Sequence, residues 1–121
     1  MSSVVTARRT TIRPGRELDY TRIHAVLPVA VESALRETGV IRWRIWRDGA
    51  TLFHEIETRD GYQAMIEAII ARGPLDTEWD ALIDSLLDSS PGCDVFLPLV
   101  WGMDAHGQWP GDQTRTQATP P

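Results

Sequence analysis

Two alternating segments on either side of an Asp-Gly pair constrain this chain more than any other feature in it. From Ile41 to Arg47, the residues Ile41, Trp43 and Ile45 alternate with Arg42, Arg44 and Trp46; Asp48-Gly49 follows, and Thr51 to Glu57 then carries Leu52, Phe53 and Ile56. Period-two alternation joined by Asp-Gly predicts a β-hairpin. Alternation alone leaves open which face His54, on the second strand, will take.

The flanks supply the other layers. Residues Val4 to Ile12 carry β-branched types and end at Arg13-Pro14-Gly15, so they read as a first strand closed by a turn. Between Glu17 and Glu37, Ile23, Val26 or Leu27, Ala30 and Ala34 follow helical spacing, and Thr38-Gly39 supplies a stop. Tyr20, His24 and Pro28 lie four apart on one side of that helix. Pro28 has no N–H to give the carbonyl of residue 24, and its ring crowds that carbonyl, so the helix is expected to break beside His24. Asp60 is placed to cap a helix through Met65, Ile66, Ile69 and Ile70, which Gly73-Pro74 ends. A further amphipathic helix, Thr77 to Leu87, carries Trp79, Leu82, Ile83, Leu86 and Leu87. The run Cys93 to Met103 reads as a last strand, at an edge or bulged because of Pro98. Residues 107–121, rich in Gln, Thr, Pro and Gly, read as a flexible tail, leaving one α+β domain over residues 1–106.

The order is βαββαβ with the second helical slot divided. It predicts a ferredoxin-like antiparallel sheet with its helices on one face. Trp46, Phe53 or His54, and part of Val95 to Trp101 must then point to the other face. With no third layer in the chain, a second copy is the simplest cover, and a homodimer joined sheet to sheet is expected.

Composition narrows the function classes. With 121 residues, 42% hydrophobic and 24% charged, the chain suits a single core. A net charge of −5 without a basic run argues against nucleic acid or an anionic membrane surface as partner, and no apolar run has the length of a membrane span. A single Cys93 fits a reduced, cytoplasmic setting. No Cys/His or carboxylate grouping has metal-ligand spacing and no glycine-rich phosphate loop is present, so neither a metal nor an organic cofactor is expected. Five tryptophans against two phenylalanines and two tyrosines offer wide faces for core packing or for stacking on a sugar ring.

A histidine beside a distorted helical turn suits proton transfer, because its ordinary pKa of about 6.5 lets it exchange a proton near neutrality. Tyr20 and His24 also suit an ordinary helix-surface pair. His54 carries no partner pattern of its own, and His106, beside Gly107, is given no role.

The succession Arg13-Pro14-Gly15, Glu17-x-x-Tyr20-x-x-x-His24-x-x-x-Pro28, Gly39-x-x-x-Trp43-x-Ile45-x-x-Asp48, Leu52-Phe53 with Glu57, Trp79 in the late helix, and finally Val100-Trp101 resembles the L-rhamnose mutarotase family of dimeric α/β barrel proteins. The resemblance spans roughly residues 7 to 103. It implies interconversion of the α and β anomers of a deoxyhexose without metal or organic cofactor, with His24 as proton donor and Tyr20, Trp43, Trp79 and Asp80 around the monosaccharide. Leu27, Trp43 and Asp80 stand where the family usually has tryptophan, tyrosine and tryptophan. Asp80 in that place either brings a carboxylate near His24 or faces solvent. These departures leave two other readings open: a barrel enzyme of cyclase or cofactor-free oxygenase type acting on a hydrophobic or polyketide-like metabolite, and a non-enzymatic ligand-binding module.

Overall fold

A computed structural model describes residues 3–111. Strand β1 (Val4–Thr11) leads through the Arg13–Arg16 turn into helix α1 (Glu17–Ile23), and helix α2 (Val29–Glu37) follows after a break. Strands β2 (Val40–Asp48) and β3 (Thr51–Thr58) form the predicted hairpin, with Gly49 at φ +58 in its turn. Helices α3 (Tyr62–Ala71) and α4 (Thr77–Leu86) precede β4 (Val95–Leu97), β5 (Trp101–Asp104) and β6 (Gly107–Pro110).

The main sheet has the order β2-β3-β1-β4, antiparallel throughout, which is the ferredoxin-like arrangement. Register assigns the faces, because residues paired across strands share a side. Thr6, Thr10, Leu52, His54, Ile56 and Thr58 are buried on the helix-covered face. Two apolar clusters fill the space beneath the helices: Ile12, Tyr20, Leu52 and Leu86 at one end, and Ile56, Tyr62 and Met65 at the other. The question of Phe53 or His54 resolves with Phe53 outward and His54 inward. Ile41, expected beside Trp43 and Ile45, is the extra residue where the β2–β3 register shifts between Val40 and Arg42, and it stands exposed.

The helix break falls where Pro28 places it. α1 ends at Ile23 with His24 as its C-cap, and Pro28, with φ −55 and ψ 143, precedes the first turn of α2. A residue before proline is pushed out of the α region, so Leu27 cannot carry the helix across.

Three expectations need correction. Asp60 does not cap α3: Gly61 occupies the N-cap at φ +101, a conformation costly for aspartate, and its N–H donates to Thr58 Oγ1. The segment Cys93 to Met103 is two strands, since Pro98 has no N–H for the ladder beyond Leu97; β4 pairs with β1, whereas β5 pairs with β6 in a separate hairpin. Residues 107–110, assigned to the tail, form β6, and the remaining tail from 112 to 121 lies outside the described residues.

Candidate active site

The α1–α2 break and the β2 end of the sheet enclose a cavity of about 620 Å³. Tyr20, His24, Leu27, Trp43 and Trp79 line it, together with the apolar side chains Val31, Leu35, Ile45 and Leu52. Its size is ordinary for a small-molecule site, about 300–1,000 Å³.

His24 owes its position to the end of α1. Its backbone N–H still donates to the Tyr20 carbonyl at 2.9 Å, which keeps the four-residue offset and stacks the two rings at 5.2 Å with 27° between their planes. Trp79 meets the imidazole edge-on at 5.6 Å. Trp79 is set by its own helix cap, Asp76 Oδ1 accepting from the Trp79 N–H at 3.0 Å. Among the described residues no side chain hydrogen-bonds to the His24 ring or the Tyr20 hydroxyl, and the buried Trp79 indole N–H has no partner. Burial lowers the His24 pKa, so the imidazole is neutral at pH 7. Burial also pushes the Tyr20 hydroxyl up to about 12, opposed by the Arg8 charge, so it stays protonated. The cavity wall thus holds a proton acceptor and a donor side by side.

Behind this wall lies a polar chain that the sequence did not announce. The Trp43 indole N–H donates to His54 Nδ1 at 3.1 Å, and His54 Nε2 lies 2.9 Å from Thr10 Oγ1. Indole is a donor only, so Nδ1 must be the acceptor and the proton sits on Nε2. A protonated His54 would oppose one N–H to another. Burial, reinforced by the charges of Arg8 and His24, lowers its pKa to about 4. Arg8, opposite His54 in the β1–β3 register, is held by both Asp94 carboxylate oxygens and donates to the Tyr62 hydroxyl at 2.7 Å. Its hydrogen bonds hold the Asp94 carboxyl below the usual carboxylate range.

Of the residues singled out in the sequence, Tyr20, His24, Trp43 and Trp79 therefore meet around one cavity. Asp80, next along α4, is exposed and does not line it. His54 supports Trp43 from behind, while His106 sits exposed in the β5–β6 turn. Among the described residues no group of three or more His, Cys, Asp or Glu is placed to hold a metal ion. Arg8, Thr10, Arg47, Tyr62 and Asp94 went unremarked; the alternation of β1 and β2 could have put Arg8 and Arg47 on the inner face, but only register shows what they meet.

The sequence profile of L-rhamnose mutarotase matches residues 6–99. The chain belongs to the L-rhamnose mutarotase family. The matched span runs from within β1 to just past β4 and includes every aromatic residue of the cavity. No curated protein matches this member of the family. Among solved structures, a conserved protein from Methanosarcina mazei Go1 is similar at 16% identity, with 80% of this chain and 90% of that one covered and a TM-score of 0.53. A NIPSNAP family protein from Agrobacterium tumefaciens is similar at 16% identity over 79% of this chain and 91% of that one, with a TM-score of 0.49. The first of these likenesses extends the agreement to the fold, a ferredoxin-like α+β domain.

Proposed function

We propose that this protein interconverts the α and β anomers of a deoxyhexose such as L-rhamnose, with His24 as the acid/base group. The observation that carries this reading is the His24 imidazole itself, neutral and hydrogen-bonded to no other side chain, stacked on Tyr20 at the wall of a largely apolar cavity. Mutarotation requires the anomeric hydroxyl to lose a proton while the ring oxygen gains one. In the proposed cycle His24 takes the proton from O1, the C1–O5 bond breaks, and O5 is protonated with the Tyr20 hydroxyl as the nearest protonated donor. Rotation about C1–C2 and closure on the other face return both protons. Trp43 and Trp79 offer apolar faces to the C–H edges of the ring. Asp80 takes no part in this cycle.

The test is saturation-transfer NMR of anomer exchange over a panel of deoxyhexoses. Positioned acid/base groups contribute about 10²–10⁴-fold, and His24→Ala is expected to lose that much. Unchanged exchange removes His24 from the mechanism.

The reading includes a homodimer joined through the outer sheet face and a cytoplasmic setting in which Cys93 stays reduced. One observation favours a second ligand class. Because Trp43 spends its only N–H on His54, it has no donor for a sugar hydroxyl, and a flat hydrophobic metabolite suits the Leu27, Trp43 and Ile45 surface as well. Quenching of tryptophan fluorescence by aromatic metabolites but by no sugar would select that class.

A further inference from the structure

Alternation along β2 puts a third side chain on the cavity side after Trp43 and Ile45: Arg47, which pairs with the buried Leu52 in the β2–β3 register and lines the cavity at its exposed mouth. Its Nη1 donates to the Gly49 carbonyl at 2.8 Å, which ties the guanidinium to the hairpin turn and leaves Nη2 and Nε without a protein acceptor among the described residues. Arg8, Arg16, Arg22, Arg36 and Arg72 are each paired with a carboxylate; of the described arginines without such a pair, Arg47 is the one that lines the cavity. Among the described residues no Asp or Glu lines the cavity, although the chain has 17 acidic residues against 12 basic ones.

An uncompensated cation at the rim of an apolar chamber selects by charge. A guanidinium presents its N–H groups in a planar fork that matches a carboxylate or a phosphate. We infer that the natural ligand is an anionic monosaccharide whose carboxylate or phosphate sits on Arg47 while its ring lies between Trp43 and Trp79. This inference rests on the mutarotase reading for the sugar ring and adds the charge. Its simplest form replaces the methyl group of a 6-deoxyhexose by a carboxylate, as in a hexuronate; a hexose 6-phosphate presents the same charge on a longer arm.

Matched sugars differing only at C6 decide the matter: a 6-deoxyhexose, the hexuronate and the hexose 6-phosphate, each in the galacto, gluco and manno configurations. Their affinities are read from the fluorescence of the cavity tryptophans. In at least one configuration an anionic sugar is expected to bind about tenfold tighter than its 6-deoxy counterpart, the size of one charge-assisted hydrogen bond. Whether uronate or phosphate binds better names the source of the charge. Arg47→Met should bring the anionic-to-neutral affinity ratio close to one, Arg47→Lys should restore part of it, and added salt should lower it in the wild type. A ratio near one in every configuration of the wild type, or a ratio that Arg47→Met leaves unchanged, overturns the inference. Exchange NMR on the same sugars separates it from the mutarotase reading. An anionic sugar that binds through Arg47 without exchanging sinks only the mutarotase activity; neutral sugars that exchange with no preference for charge sink only the anion.

Discussion

His24 and His54 belong to one interior and have opposite duties, and their hydrogen bonds tell them apart. The His24 ring is hydrogen-bonded to no other side chain, whereas both His54 nitrogens are taken, one by an indole that can only donate. In the proposed reaction His24 works as the neutral base. Because burial lowers its pKa from 6.5, kcat/KM for exchange should be flat at neutral pH and fall only as pH drops below a value under 6.5. A midpoint above 6.5 in the pH profile would contradict that assignment. His54 enters through stability. Its folded pKa of about 4 lies below the unfolded value of 6.5, so the unfolded chain binds the extra proton in between. The corresponding stability is fully present above pH 6.5 and is lost as pH falls toward 4. A shift of that size is worth about 3 kcal/mol at full protonation, and the lowered His24 adds to it with the same sign. His54→Leu should cost about 1–3 kcal/mol at pH 7, through the Trp43 N–H and Thr10 hydroxyl left unpaired, and should flatten the dependence between pH 6.5 and 4. Urea unfolding of both proteins across that range measures it; parallel pH curves would show that His54 titrates normally in the folded state.

At the level of elements, Pro28 is the residue on which the site turns. The α1–α2 break leaves His24 at a helix end, where its side chain faces the cavity with no following helical turn over it. Replacing Pro28 by alanine restores an N–H and frees Leu27 to enter the α region. The expected result is a gain in helical circular dichroism, a stability change within about 1 kcal/mol, and a fall in exchange activity as His24 is drawn into a continuous helix. Retained activity with a longer helix would show that the break does not set the histidine. This break was legible in the sequence because a proline acts locally, and so were the hairpin and the strand of Val4 to Ile12, each fixed by near neighbours. What was not legible depended on distant partners. Phe96 joins the inner face by pairing with Arg8, and β5 leaves the sheet for β6, a pairing that Cys93 to Met103 alone does not encode. The Trp43–His54–Thr10 chain is of the same kind, since it joins three strands.

For the molecule as a whole, the ferredoxin-like sheet has one side covered by four helices and one side open. On the open side Trp46 and Phe53 are direct cross-strand partners, 52% and 39% exposed, with Arg9 of β1 beside Phe53. Around them stand opposite-charge pairs across the hairpin, Arg42 facing Glu57 and Arg44 facing Glu55. An exposed apolar pair flanked by charges of both signs suits a two-fold contact, because each patch then meets its own copy. Helix packing cannot supply this cover, since every helix is already committed to the inner face. The proposed dimer should sediment at twice the 13.6 kDa of the chain. Phe53→Asp with Trp46→Asp, which places like charges at the centre of the contact, should give a monomer that keeps its far-ultraviolet circular dichroism. A wild-type protein that sediments as a monomer at tens of micromolar would overturn the dimer, and a double variant that remains dimeric would move the interface away from the sheet. Because Trp43, Ile45 and Leu52 of the cavity lie on the helix-covered face, opposite Trp46 and Phe53, the monomeric variant should also keep its ligand affinity, so that assembly and binding are separated in the same sample.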